Sequence, residues 1–122
     1  MKHTGKTNRR RGAGYEKEVE KQLHKLGFRT ARKSGSIQAS GCGTPDILGF
    51  PSIWCSCKRW GRIMRWAAWW RDADERCPAS SVPMIIHRPD RGVSYVSFRL
   101  DDLPIIMQSL EDSAAASRLL HP

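Results

Sequence analysis

The segment Gly43-Thr44-Pro45-Asp46-Ile47-Leu48-Gly49-Phe50, followed by Ile53-Trp54-Cys55-Ser56-Cys57-Lys58, decides the fold of this chain. Two short, mainly apolar runs flank Pro51-Ser52, which predicts two strands joined by a turn. Side chains two apart on a strand share a face, so Ser56 and Lys58 point together while Cys55 and Cys57 point away. The second strand is therefore expected to have one apolar face and one face that carries polar groups.

Apolar spacing in the flanking sequence predicts three helices and three more strands. The helices are expected over Ala13 to Leu26, along the apolar stripe from Ile63 to Cys77, and from an Asp101 or Asp102 cap through Leu110. The strands are expected at Phe28 to Lys33, Val82 to His87 and Val93 to Phe98, the last two as a hairpin. The predicted order is α-β-β-β-α-β-β-α, with a basic, flexible or partly ordered arm at 1-12, one domain at 13-112 and a frayed tail at 113-122.

Positive charge is concentrated in the first half of the 122 residues. The formal net charge is +9, and residues 1–65 hold 15 Lys and Arg against 4 Asp and Glu, while residues 66–122 hold 6 against 8. A segregated positive surface is typical of a polyanion binder, because each phosphate that it neutralises releases condensed counterions. Nucleic acid is the expected partner, and a merely soluble basic surface is the alternative.

Neither secretion nor a membrane span is expected, because the chain has no apolar run of about 18 residues and no apolar signal core. An intracellular location is therefore predicted. The four cysteines, Cys42, Cys55, Cys57 and Cys77, are interpreted as small apolar residues of a reduced protein. A zinc-stabilised basic interaction protein is the alternative, although Cys55 and Cys57 lack the C-x-x-C spacing of a zinc knuckle.

From about Arg9 to Phe98 the chain resembles the PD-(D/E)XK nuclease superfamily, and within it the archaeal-type and phage Holliday junction resolvases. Four features carry the resemblance: Arg11-Gly12-Ala13-Gly14-Tyr15-Glu16, Arg32-Lys33-Ser34-Gly35-Ser36, Asp46 and Lys58. It implies an α/β fold with a restriction-endonuclease-like core, in which a mixed β-sheet is flanked by helices. It also implies a homodimer that nicks two opposed strands of a four-way DNA junction during recombination.

The resemblance implies a catalytic site made of Glu16, Ser36, Asp46, Ser56 and Lys58. Mg²⁺ or Mn²⁺ would be held by Glu16, Asp46, position 56 and the main-chain carbonyl of Cys57, while Lys58 positions or deprotonates the attacking water. The expected DNA contacts are Arg9, Arg10, Arg11, Arg32, Lys33, Arg59, Arg62 and Arg65, all directed at phosphates. Trp66 and Trp70 are expected to be core or dimer-interface anchors.

Ser56 departs from the family pattern, which has glutamate at this position. A neutral hydroxyl is a poor Mg²⁺ ligand, so we expect the chain to be inactive or strongly impaired as a nuclease. An engineered substitution, divergence to a non-cleaving DNA-binding module and migration of the carboxylate to another element are all open. For the last route, Asp72, Asp74 and Glu75 lie on another predicted helix and are not expected at the site. A general DNA nickase of the same fold is a further alternative.

Overall fold

The computed structural model describes the backbone of residues 5–35 and 44–120 and the side chains of residues 14–35 and 44–120. It is an α/β structure with three helices and a five-stranded mixed sheet, and the predicted order of elements is confirmed. The helices are α1 (Gly5–Lys25), α2 (Trp66–Arg76) and α3 (Leu103–Leu120). The strands are β1 (Arg32–Lys33), β2 (Ile47–Leu48), β3 (Ile53–Trp60), β4 (Val82–Pro89) and β5 (Tyr95–Ser97).

The strands lie in the sheet in chain order, β1 to β5. β3 and β4 are parallel, with Ser56 opposite Ile85 and Lys58 opposite His87, and the other neighbouring pairs are antiparallel. A parallel pair needs a crossover connection, which here contains α2. The predicted hairpin of β4 and β5 is confirmed.

The main hydrophobic core covers one face of the sheet. Ile53 and Cys55 of β3 and Met84 and Ile86 of β4 point into it, and they meet buried residues from α1 and α3, among them Tyr15, Val19 and Ile106. The opposite face carries Ser56, Lys58, Ile85 and His87. Trp69 and Ala73 are the buried residues of α2, and the Trp69 ring meets His87 of this second face.

Three strands, β1, β2 and β5, are shorter than the sequence predicts, and β3 and β4 are longer. Phe28 to Ala31 form a turn instead of a strand, because the Ala31 N–H bonds to the Phe28 carbonyl and His24 Nε2 lies 2.6 Å from the Ala31 carbonyl. β2 ends at Leu48, since Gly49 has a φ of +110° and the chain turns there. Full pairing with β4 carries β3 on to Trp60.

The first and last helices extend past their predicted ends. α1 begins at Gly5 and not at Ala13, so residues 5–12 of the expected arm are helical, in keeping with the helix propensity of Lys and Arg. α3 continues to Leu120, where a frayed tail was expected from Ser113. Buried serines fix this part of α3: Ser113 donates to the Gly49 carbonyl, and the Ser117 hydroxyl accepts the Arg29 N–H.

The phase of α2 is also different from the predicted one. Trp69 is the buried tryptophan at 9% exposure, whereas Trp66 is 43% exposed and Trp70 is half-buried. Trp66 is therefore not a core anchor, and the alternative that Trp66 and Trp70 are dimer-interface anchors stays a prediction. Both choices suit a period of 3.6 residues, because Trp66, Trp69 and Ala73 are spaced as well as Trp66, Trp70 and Ala73.

Across the described residues, none of the helices combines the length and apolar character that a membrane span requires.

Candidate nuclease-like site

The site begins with Asp46, which directly precedes β2 at the junction with β3. Its N–H donates to the Cys55 carbonyl at 2.8 Å, and its own carbonyl accepts the Ser34 N–H at 3.0 Å. Backbone pairing on both sides therefore fixes the direction of the Asp46 side chain. That side chain accepts the Cys57 N–H at 2.8 Å through Oδ2, and the same oxygen lies 3.4 Å from the Ser56 hydroxyl.

Ser56 is buried beside Asp46, with an exposure of 3%. Its hydroxyl is oriented as a donor to the Asp46 carboxylate, which is the role of a partner and not of an anionic ligand. The resemblance placed these two positions together, and the structure does bring them together. The Cys57 N–H also contacts Asp46, so the main chain of β3 takes part in the site.

Helix α1 brings Glu16 to Asp46. The helix is anchored on either side of Glu16: the buried Tyr15 hydroxyl bonds to Ser94 Oγ at 2.8 Å, and Glu18 pairs with Arg88 at 2.9 Å. Partial burial, repulsion by Asp46 and a hydrogen bond with that carboxyl raise the pKa of Glu16 to about 7, against an ordinary value of 4.5. The two carboxyls therefore share a site that retains a proton near neutral pH.

Lys33 of β1 is the cation that acts on Glu16. It lowers the pKa of Glu16, but by less than burial and Asp46 raise it. The Lys33 backbone N–H donates to Glu20 of α1 at 2.8 Å, which ties β1 to the same helix. Lys33 was predicted as a phosphate contact, and the structure places it beside the carboxyl pair.

Lys58 lies on the face of β3 that carries Ser56, but its partner belongs to α2. Its Nζ is 4.0 Å from Asp72 Oδ2, and Arg76 lies 3.9 Å from the same oxygen. Asp72 was not expected at the site, and here it contacts Lys58, one of the predicted site residues. The sequence does not predict this contact, because the phase of α2, which decides whether position 72 turns toward β3, is ambiguous.

Some of the predicted site residues fall outside this cluster. Arg59 points to the other side of β3 and pairs with Asp90 at 3.1 Å, so its charge is already compensated. Arg32, Arg62 and Arg65 are exposed. Ser36 lies outside the described residues, as do the side chains of Arg9, Arg10 and Arg11.

The donor set fits a weakly held hard cation. Glu16 and Asp46 provide two carboxyls, and Mg²⁺ is commonly bound by one or two carboxylates together with waters and substrate phosphates. Over residues 5–35 and 44–120 no three His, Cys, Asp or Glu side chains are grouped as a metal cluster. Glu16 and Asp46 are the two residues that could hold such an ion, and Ser56 beside them adds a neutral hydroxyl.

The described cysteines give no support to a structural zinc site. Cys55 is fully buried in the core, and its contact with Cys57, followed by burial, raises the pKa of the Cys57 thiol well above its ordinary value. A raised pKa disfavours the thiolate that zinc requires. Cys42 lies outside the described residues.

The chain matches no protein family model, no curated protein and no solved structure.

Proposed function

We propose that this protein is a DNA-binding protein of the nuclease type, a structure-selective endonuclease for four-way junctions whose cleavage step is impaired by Ser56. The observation that supports it best is the approach of Glu16 and Asp46. They come from different elements, and burial and mutual repulsion raise the pKa of Glu16 to about 7. Two carboxyls held together at a stability cost are typical of a functional site.

In this proposal Glu16 and Asp46 hold Mg²⁺ or Mn²⁺ together with a phosphate of the DNA. When bound, the ion supplies positive charge against the scissile phosphate and lowers the pKa of a water. The Cys57 N–H orients the Asp46 carboxylate, and Ser56 contributes a neutral hydroxyl where a third anionic group would strengthen the site. Lys58 is the group that orients the attacking water, once it is released from Asp72.

The charge distribution supports DNA as the partner. Arg32, Arg62 and Arg65 are exposed, and Lys33 is close enough to Glu16 to lower its pKa. Since residues 1–65 hold 15 Lys and Arg against 4 Asp and Glu, the half of the sequence that contains Asp46 and Lys58 is the cationic half. Guanidinium and ammonium groups of this kind hold phosphates and do not read bases. A homodimer would present two such sites to two opposed strands.

Cleavage of labelled DNA tests the proposal. The substrates are a four-way junction and a linear duplex of the same sequence, with Mg²⁺ or Mn²⁺, and the proteins are the unmodified chain, Ser56→Glu and the matched neutral variant Ser56→Gln. We expect paired nicks in the junction from Ser56→Glu, and little or no cleavage by the other two. The variant Ser56→Glu with Asp46→Asn should be inactive.

The other outcomes are equally informative. Cleavage of duplex and junction alike by Ser56→Glu would indicate a general DNA nickase. Tight junction binding without cleavage by any variant would identify a non-cleaving DNA-binding module, which the engagement of Lys58 by Asp72 favours as the second candidate. No binding to either DNA would refute the proposal.

A further inference from the structure

An exposed group of aromatic rings lies on the α2 side of the sheet. We call Trp66, His87 and Tyr95 the aromatic platform. The Trp66 and His87 ring centroids are 5.7 Å apart in an edge-on arrangement, and the His87 and Tyr95 centroids are 5.8 Å apart with the rings 24° from parallel. His87 is buried between the other two, and it is fixed by a 2.8 Å hydrogen bond between Nε2 and Ser97 Oγ.

The two outer rings of the platform are exposed and do not fill the core. Trp66 is 43% exposed and Tyr95 is 56% exposed, whereas the neighbouring Trp69 already fills the buried position under α2. Isolated exposed apolar residues are ordinary, but Trp66 and Tyr95 both contact the His87 ring, and a joined group of rings is a patch of the kind found at binding sites. Burial lowers the pKa of His87, so the central ring is uncharged at neutral pH.

The position of the platform relates it to the carboxyl site. His87 is paired with Lys58 across the parallel β3 and β4 strands, and neighbouring strands are about 4.8 Å apart. Lys58 is therefore one strand away from the central ring. A nucleotide whose phosphate lies at Lys58 has its base within reach of these rings.

The charges around the platform favour a polyanion. Arg65 directly precedes Trp66, and it is exposed, as is Arg62. The acids of α2 on this side are compensated, Asp72 by Lys58 and Arg76, and Asp74 by Arg99 at 2.7 Å. A second copy of this basic chain, with a net charge of +9, would be a less favourable occupant than a nucleic acid.

We infer that the aromatic platform stacks an unpaired base of DNA next to the site where the phosphate backbone is held. This rests on the proposed function, and it assigns a specificity: the protein would favour DNA that has unpaired nucleotides, as at an open branch point or a gap, over a closed duplex. Stacking on aromatic rings tolerates any base, because every base has a π-face. The platform thus selects structure and not sequence.

The test compares binding of an intact duplex, the same duplex with a short central gap, and an oligo(dT) strand, by fluorescence anisotropy. The variants Trp66→Ala and Tyr95→Ser remove the outer rings, while Trp66→Phe and Tyr95→Phe keep them. Leu119→Ala removes an exposed apolar side chain far along α3 and is the matched control. We expect the ring-removing variants to lose about tenfold in affinity for gapped DNA and oligo(dT) and to keep their affinity for intact duplex.

A second measurement does not depend on the folding of variants. Oligo(dT) should quench the tryptophan fluorescence of the unmodified protein, whereas inorganic polyphosphate, which has charge but no bases, should not. Equal binding of gapped and intact duplex by all variants would overturn the inference and leave the proposed function standing. So would a loss of dimer by sedimentation in Trp66→Ala, which would assign the platform to a subunit interface. If the unmodified chain binds none of the DNAs, the proposed function fails as well.

Discussion

Replacing Glu16 with glutamine should stabilise the folded protein in mild alkali and leave its stability unchanged in acid. In the folded chain the pKa of Glu16 is about 7, against an ordinary value of 4.5. Below about pH 4.5 both folded and unfolded chains carry the proton, so the carboxyl costs nothing. Between about pH 4.5 and 7 the unfolded chain loses its proton while the folded chain keeps it, so stability falls as pH rises.

The structure sets the size of this effect. A rise from 4.5 to about 7 corresponds to roughly 3 kcal/mol for a fully buried group. Glu16 is only half-buried, so solvent screens part of the repulsion by Asp46 and we expect about 1 to 2 kcal/mol. The full gain in stability of Glu16→Gln should be present above about pH 7. Mg²⁺ should reduce the difference in stability between Glu16→Gln and the unmodified protein, because a cation at the carboxyl pair would stabilise the unmodified protein alone.

The assay is urea unfolding of the unmodified protein and Glu16→Gln at about pH 4, 6 and 8, with Glu75→Gln on the exposed face of α2 as control. Comparing variants at each pH cancels the general effect of the high net charge. Glu75→Gln should change little at any pH. A gain for Glu16→Gln that is equal at all three pH values, or absent at the highest, would refute the raised pKa of Glu16 that burial and Asp46 produce.

Three further predictions concern the site, the turn after β2 and the basic surface. Ser56→Glu should lower the free energy of unfolding by about 2 to 4 kcal/mol without metal, because it adds a charge at a buried position next to Asp46. In thermal unfolding, Mg²⁺ should restore part of the stability that Ser56→Glu loses, and it should restore none in Ser56→Gln. Gly49→Ala should lower the free energy of unfolding in urea by about 2 kcal/mol or more, since φ at Gly49 is +110° and the new Cβ would overlap the Thr30 carbonyl oxygen. The control Gly14→Ala has open space around it in α1 and should be neutral or stabilising by up to about 1 kcal/mol. Arg62→Ala and Arg65→Ala should each reduce the slope of log affinity against log salt for duplex DNA by about one, and Arg59→Ala by less, because Asp90 already compensates Arg59; equal slopes for all three would contradict this ranking.

Local pattern was sufficient for the order of the elements and for the faces of β3. Alternation in Cys55 to Lys58 separates the core cysteines from Ser56 and Lys58, because the side-chain period of a strand is fixed by the backbone. The five strands and three helices were predictable for the same reason, whereas the mixed sheet was expected only from the resemblance. The helix ends were not, since α3 is held to Leu120 by hydrogen bonds of buried serines to distant backbone groups.

Local sequence pattern did not predict which residues meet at the candidate site. Glu16 and Asp46 are 30 positions apart, and only the resemblance to known nucleases suggested that they meet. Their approach depends on how α1 is anchored through Tyr15 and Glu18, which is tertiary information. The contact of Asp72 with Lys58 was not predicted for a different reason. The apolar residues of α2 allow two rotations of the helix about its axis against the sheet, and periodicity alone does not choose between them.

Ser56 has a consequence for stability as well as for activity. Burial, followed by repulsion from Asp46, already raises the pKa of Glu16 to about 7. A third carboxylate at a position with 3% exposure would add to that repulsion, whereas the serine hydroxyl donates to Asp46 and relieves it. If the proposed metal site exists, the serine would therefore favour the metal-free fold and weaken metal binding, as expected when stability and activity oppose each other. A protein that mainly binds branched DNA would gain from that exchange, because its phosphate contacts and aromatic platform do not require the third ligand.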